Sequence, residues 1–470
     1  MFLEIFDKKL LMKLFKNAGL LISLFVIKIS IKSNFKHISI LGYIFYLATS
    51  SNNFFIYIFN IISNKNKPFI ILLEKGGFNE DIQIIKNNFK EIDCIGFSRT
   101  FVKGIASCYL SKDICDNNYF SSATIHNKSK VNLFVFYDFL FSRLPLRVKP
   151  IAIFTGNFGY SPEQELFKAS SKNNIKGIAI QKECLKPDGL YDLWKYIYSV
   201  RRGVFGGTLV LNYNQIEEEI QKKSQVINTK KTRMKIIGCP RLDDAHYLRK
   251  NHNLIQNHQV LMFGFGTKSF LPVIPRKSYG DLEPHHEYLN REDKNLTWAK
   301  LIKELCTSFY KCAQQNPHIP FIIKLKEMYR ENYEMLSFFE KKKKLSNIKI
   351  TTKGNALTLV RNSSVVISHR STTLFEGIAR GIPVIIPNLG ECRIEKYKKY
   401  IFEFTNTDND LITVNTEDEF IKELNNILSI PPNIKTKLSN TKKEILDKWM
   451  GNADGKSGQR LISILKKELK

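Results

Sequence analysis

From Pro68 onward the chain alternates short apolar runs with amphipathic stretches. Phe69–Leu73 is a continuous apolar run, as a parallel strand buried on both faces requires, and Glu74-Lys75-Gly76-Gly77 breaks it. A helical stretch is predicted over Asp81–Phe89, then strands at Val131–Phe136 and Ile151–Phe154, a helix over Pro162–Ser171 and a strand at Ile178–Ile180. Phe205–Leu211 and Met234–Asp243 close this half. Asp244–His258 is polar, lacks apolar periodicity, and reads as an interdomain linker. The rhythm then restarts, with strands at Val260–Phe263, Phe321–Leu325, Asn347–Ile350, Val365–Ile367 and Val384–Ile386. Helices are predicted at Trp298–Ala313, Ala356–Arg361, Ser371–Arg380, Glu417–Ser429 and Ile434–Trp449. This alternation predicts an α/β protein with two Rossmann-like domains, 67–248 and 249–445, facing a cleft at the carboxyl ends of their strands.

Residues 1–66 stand apart as a basic apolar segment. Ala18–Ile27 is about half the length a spanning helix needs, and Ile38–Asn64 is uncharged but centred on Thr49-Ser50-Ser51-Asn52-Asn53. Lysines before, between and after these runs fit a segment lying on an anionic leaflet; helices packed on the first domain and a true span are the alternatives. No small-residue cleavage site follows them, so a signal peptide is not expected.

At 470 residues the chain exceeds one ordinary core, and 43% hydrophobic with 25% charged residues is the composition of a globular protein. The net charge of +28 raises nucleic acid, membrane and anionic substrate as partners. No arginine-rich run, zinc-ligand spacing or aromatic RNA-binding signature supports nucleic acid. The eight cysteines are scattered without a C-x-x-C pair, as free thiols in a reducing cytoplasm would be.

The constellation richest in chemistry is strand–HRSTT–helix–GIP–strand. Val365–Ile367 leads to a turn at His369 and Arg370, after which Ser371, Thr372 and Thr373 start a helix. Free N–H groups and hydroxyls at a helix start make an anion site. Glu376, one turn on, is placed to accept the hydroxyls of a ribose or sugar; Thr373 with Glu376 also fits a capping box. Gly264 and Gly266, followed by Thr267 and Lys268, end the first strand of this half and admit a phosphate or form a plain tight turn. Lys324 and Lys326 share one face of a strand end, where a cation could meet a diphosphate leaving group. In the first half, Thr155–Tyr160 and Gln181-Lys182-Glu183-Cys184 each follow a strand and face the cleft. Asp243 either belongs to the cleft or caps the linker. His285 and His286, being adjacent, point apart and read as a polar loop; Asp408-Asn409-Asp410 has a metal-carboxylate spacing but reads as a solvated turn, so no metal is expected.

HRSTTLFEGIARGIPVIIPN resembles the donor-nucleotide region of GT-B glycosyltransferases, above all bacterial surface-carbohydrate and capsule enzymes, with relatives among CDP-glycerol glycerophosphotransferases. Phe321–Lys326 is similar to the preceding strand in those enzymes, although Lys326-Glu327 stands where His-Pro is frequent. WMGNADGKSGQR resembles their terminal segment, which implies that residues 446–470 form a helix returning to the first domain. The likeness is good over Val260–Arg460 and thinner over Pro68–Asp243. It implies a donor site of Gly264, Gly266, Thr267, Lys324, Lys326, His369, Arg370, Ser371, Thr372, Thr373 and Glu376, with Glu183 as catalytic base and Lys182 steering the ligand. The expected activity is transfer of a sugar or polyol phosphate from a nucleotide-activated donor, needing no cofactor, to a glycan or lipid-linked acceptor. Its expected place is the cytoplasm, peripheral to the inner face of the plasma membrane. A nucleotide-sugar 2-epimerase and a non-catalytic basic protein binding anionic glycan are the alternatives.

Overall fold

The computed structural model describes residues 8–33, 35, 37–50, 67–74, 78–89, 91–112, 114, 116, 119, 126–199, 205–251, 258–269, 271, 296–326, 329–369, 371–402, 404, 410–431 and 436–469. Among them, two six-stranded parallel sheets carry the fold. The first comprises β1 (Phe69–Glu74), β2 (Asp93–Ser98), β3 (Ala152–Thr155), β4 (Lys176–Gln181), β5 (Leu209–Asn212) and β6 (Arg233–Ile236), in the order β2-β1-β3-β4-β5-β6. The second comprises β7 (Gln259–Phe263), β8 (Phe321–Lys324), β9 (Ile348–Thr351), β10 (Ser363–Ile367), β11 (Val384–Pro387) and β12 (Leu411–Val414), in the order β12-β11-β10-β7-β8-β9. That is the doubly wound order, and the protein has the expected GT-B-like pair of Rossmann-like domains. Strand order reverses between β1 and β3 in one sheet and between β7 and β10 in the other, the two places where such sheets open a crevice.

The central strands are largely apolar because helices cover both faces: every residue of β7, β10 and β11 is buried, Gln259, Ser363 and Ser364 among them. Val131–Phe136, expected as a strand, lies inside the helix Asn127–Arg143. Its buried residues Leu133, Phe136, Tyr137, Leu140 and Phe141 follow helical spacing, hidden in sequence by apolar neighbours between them. Of the expected linker Asp244–His258, residues 244–251 lie in a helix, Asp243–Asn251, whose buried face is Ala245, His246 and Arg249, and residues 252–257 lie outside the described residues. His246 Nε2 lies 3.0 Å from the Asn452 carbonyl, and Arg249 Nε donates to the Ala379 carbonyl at 3.0 Å. Polar side chains that bury themselves on backbone carbonyls leave no apolar periodicity to read. The edge strands β2 and β12 were also not expected.

Helices Lys8–Lys32 and His37–Ser50 form a hairpin against the first sheet. Tyr46 stacks on Phe101 at 4.3 Å, and its hydroxyl accepts from Ser98 N at 2.9 Å. Among the described residues no helix is long and apolar enough to cross a membrane.

The C-terminal helices Asn440–Met450 and Ser457–Glu468 touch the first half. Asp243 accepts from Asn452 Nδ2 at 2.8 Å, Ser457 N at 3.0 Å and Gly458 N at 2.7 Å, and Cys239 N donates to the Met450 carbonyl at 2.8 Å. One apolar cluster runs across both halves, joining Tyr213, Leu242 and Ala245 to Leu374, Phe375, Ile378 and Trp449. The helix Thr372–Arg380 packs on Asp243–Asn251, and Arg380 Nη1 donates to the Leu248 carbonyl at 2.7 Å.

Candidate active site

At the reversal of the second sheet, β10 delivers the chain to Ser368 and His369, both buried. The His369 ring lies 5.0 Å from that of Phe265 and 5.1 Å from that of Trp298, with Cys392 Sγ 4.0 Å from its nitrogens. Arg370 lies outside the described residues. Ser371 is the N-cap of helix Thr372–Arg380: its hydroxyl accepts from Thr373 N at 3.4 Å, while Thr373 Oγ1 lies 3.4 Å from Ser368 Oγ. With Ser371 as cap the third helical residue is Leu374, so Thr373 and Glu376 form no capping box. The helix ends at Gly381, whose φ of 80° is the left-handed conformation a glycine cap supplies. A cavity of about 340 Å³ opens beside this turn, walled by His369, Ser371, Phe375, Ile386, Lys398 and Phe402. Next to the lining residue Lys398 the first half meets the second, where a Cβ on Gly189 would stand 2.6 Å from Lys399 Cα.

Glu376 is 4% exposed, and its Oε2 has no hydrogen-bond partner among the described residues. Burial pushes its carboxyl up to about 7, opposed by Arg241 and reinforced by Glu80. Arg241 follows β6 in the first half; its Nη1 lies 3.6 Å from Glu80 Oε2, and its Nε also has no partner among the described residues. Asn355 of the second half donates to Glu80 Oε1 at 3.0 Å. Asp81, next to Glu80, accepts from the Tyr213 hydroxyl at 2.8 Å and has its other oxygen without a partner among the described residues. Burial pushes Asp81 up to about 6, against Tyr213, Arg241 and Lys182, which favour the charged form. Two buried acids from opposite halves are thus coupled to one guanidinium. The sequence reading placed Asp81 only in a helix; the available signal was an acidic pair directly after the glycine-rich end of β1, one flank of the first crevice.

The remaining expected residues divide. Lys182 is near enough to Asp81 to favour its charge, and burial, reinforced by exposed Glu183, raises the Tyr160 hydroxyl. Glu183 is followed by irregular backbone to Pro187, so no helix dipole holds its carboxylate. Gly264 has a packing reason: a Cβ there would stand 2.3 Å from Leu325 Cδ2 and 3.0 Å from Met335 Sδ. Gly266 N already donates to Ser269 Oγ at 3.0 Å, Thr267 Oγ1 reaches Glu334 at 3.4 Å, and Lys268 Nζ donates to the Leu296 carbonyl at 2.7 Å. These contacts describe a self-satisfied turn. Lys324 Nζ donates to the carbonyls of Leu325 and Thr352 at 2.9 and 2.8 Å, and Lys326 is exposed. At the first crevice Thr155 donates to Glu163 at 2.6 Å, Arg99 pairs with Glu163, and the guanidinium lies 3.6 Å from the Tyr160 ring centre. Asp243 is a cap for the C-terminal segment, and Asp410 pairs with Lys442 at 3.1 Å. Asp408, Asn409, His285 and His286 lie outside the described residues.

No protein-family model matches the chain, and no curated protein does. Among solved structures, the UDP-GlcNAc 2-epimerase from Methanocaldococcus jannaschii is 15% identical, with a TM-score of 0.44, covering 86% of this chain and all of that one. A variant of the wall teichoic acid polymerase TagF is 12% identical, with a TM-score of 0.43 and coverage of 88% and 96%. The glycotransferase of kitacinnamycin is 9% identical, with a TM-score of 0.45 and coverage of 86% and 100%. Likenesses of this depth fix neither a family nor a reaction.

Proposed function

We propose that this protein is a glycosyltransferase that moves a sugar, or a polyol phosphate, from a nucleotide-activated donor to a surface-polysaccharide acceptor. One observation carries the reading: a helix opening on Ser371, Thr372 and Thr373 borders a cavity of about 340 Å³ and carries the buried carboxylate Glu376, one oxygen of which lacks a partner among the described residues. In this reading the donor diphosphate meets the positive end of the helix and the hydroxyls at its start. The ribose diol donates to Glu376 and supplies its missing hydrogen bond. Lys324 leaves its carbonyls to meet the diphosphate as charge builds on it. For sugar transfer the acceptor oxygen bonds to the anomeric carbon, the bond to the diphosphate breaks with its electrons on the nucleotide, and a first-half carboxylate takes the acceptor proton. Glu183 and Asp81 are the two carboxylates that stand for that role, with Lys182 steering the anionic ligand.

A second reading, 2-epimerisation of a nucleotide sugar, is favoured by a buried acid in each half, Asp81 raised to about 6 and Glu376 to about 7, both drawn toward the charged form by Arg241. Thermal shift with UDP-, CMP-, CDP- and GDP-linked donors tests both readings, and a shift with none of them overturns both. Replacing Ser371 and Thr372 together by Ala is expected to abolish the shift; retained binding moves the donor elsewhere. With the donor identified, nucleotide release that depends on an added glycan acceptor supports transfer. A change at the sugar C2 without acceptor supports epimerisation.

A further inference from the structure

We propose that the N-terminal hairpin is a docking face for an anionic phospholipid bilayer, on which the protein lies without crossing it. The helix Lys8–Lys32 turns Leu24 and Ile27 into the protein and leaves Leu21, Ile22, Phe25 and Ile29 outside. Leu21 and Phe25 are 68% and 66% exposed. These positions, with Lys28 and Lys32, repeat at intervals of three, four and seven, so they form one stripe on the outer face. Phe35, Ile38 and Leu41 extend the apolar surface onto the second helix, Leu41 being 65% exposed.

A contiguous apolar surface of this kind on a folded protein marks an interaction site. Charge selects the occupant. Between Asp7 and Glu74 the sequence contains no Asp or Glu, while Lys28 and Lys32 stand exposed within the stripe itself. A protein partner's apolar core would leave these ammonium groups unmatched. The plane between acyl chains and anionic headgroups suits both kinds of side chain at once, with the rings and Leu sunk below the phosphates and the lysines level with them. Among the described residues no helix is long and apolar enough to cross a membrane. The inference goes beyond the proposed transfer reaction and does not depend on it.

The test is co-sedimentation of the full chain with vesicles, without nucleotide, using phosphatidylcholine alone and phosphatidylcholine with phosphatidylglycerol. The wild type is expected to bind the anionic vesicles, and less so as salt rises from 0.1 to 0.5 M, since exposed charges are screened. Replacing Lys28 and Lys32 by Ala should lower partition roughly 30-fold, at about 1 kcal/mol per lysine. Replacing Leu21, Phe25 and Leu41 by Ser should lower it at least about 10-fold with an unchanged melting temperature, the sites being exposed. Failure of the wild type to bind anionic vesicles overturns the proposal, and so does equal binding by both variants. Concentration-dependent dimers that the Leu21, Phe25 and Leu41 substitutions dissolve would assign the face to a second copy of the chain, and overturn it as well. Nucleotide thermal shifts of the same variants, expected to equal the wild type's, keep this outcome separate from that of the transfer reading.

Discussion

Glu376→Gln separates a carboxyl held for a ligand from one held for the fold. In the empty protein the side chain is buried between the halves, and burial lifts its carboxyl from 4.5 to about 7. A raised acid binds its proton more tightly folded than unfolded. Its contribution is therefore most favourable below 4.5, declines as pH rises from 4.5 to about 7, and is constant above that. At 1.36 kcal/mol per pH unit the decline amounts to roughly 3 kcal/mol, an upper figure because relaxation of the interface around the ionised carboxylate reduces it. Gln keeps the shape and cannot ionise. Urea unfolding of the ligand-free protein should then find Glu376→Gln within about 1 kcal/mol of wild type at pH 5, and 1–3 kcal/mol more stable at pH 8. Donor affinity should move the other way. The wild type should bind more tightly as pH rises through about 7, because an ionised carboxylate accepts more strongly from a diol. The Gln variant should bind about 10-fold more weakly at pH 8, with a flat pH profile. If Gln destabilises at pH 8 and leaves affinity untouched, Glu376 is an ionised structural partner of Arg241, and the ribose assignment is refuted.

Asp243→Ala removes the acceptor of three hydrogen bonds from Asn452, Ser457 and Gly458. It should cost about 3–5 kcal/mol in urea unfolding and open residues 446–470 to protease before the rest of the chain. Gly264→Ala forces a methyl against Leu325 and Met335 and should cost about 1–3 kcal/mol, visible as a lower melting temperature. Donor affinity measured well below that temperature should not change; a large loss would restore Gly264 to the phosphate site.

Which elements could be read from the chain follows from how they bury. β7, β10 and β11 are covered on both faces, so Val260–Phe263, Val365–Ile367 and Val384–Ile386 announced themselves as unbroken apolar runs, and with them the crevice of the second sheet. The Asn127–Arg143 helix sits under the N-terminal hairpin, where outer positions such as Val131 and Val135 are apolar too, and this filled in the helical stripe until it resembled a strand. The start of helix Thr372–Arg380 was legible because the apolar run before it and its hydroxyl cap are both local patterns. The Gly264–Lys268 loop leaves two readings open in sequence, since glycine for close packing and glycine for phosphate look alike, and the packing against Leu325 and Met335 exists only in the fold. Asp81 and Arg241 lie 160 positions apart and acquire meaning only when the two halves meet. Local pattern carries no such information.

That meeting point suggests how the halves communicate. The helix Thr372–Arg380 presents its hydroxyls at one end, and at the other its Ala379 carbonyl and Arg380 side chain are held by the helix Asp243–Asn251 through Arg249 and Leu248. Glu376 lies between, coupled to Arg241, which is coupled in turn to Asp81. Arg241→Leu tests whether this is one electrostatic unit. Arg241 lowers both carboxyls, so removing it should raise Glu376 above about 7 and Asp81 above about 6. Binding of the donor, followed against pH, should keep its high-pH plateau while its midpoint moves up by about one pH unit. If catalysis uses Asp81 as base, the acidic limb of the kcat/KM profile moves with it; if it uses exposed Glu183, that limb stays where it was. An unmoved binding midpoint in Arg241→Leu would mean that the guanidinium and Glu376 are screened from each other, and that the two halves bind their substrates independently.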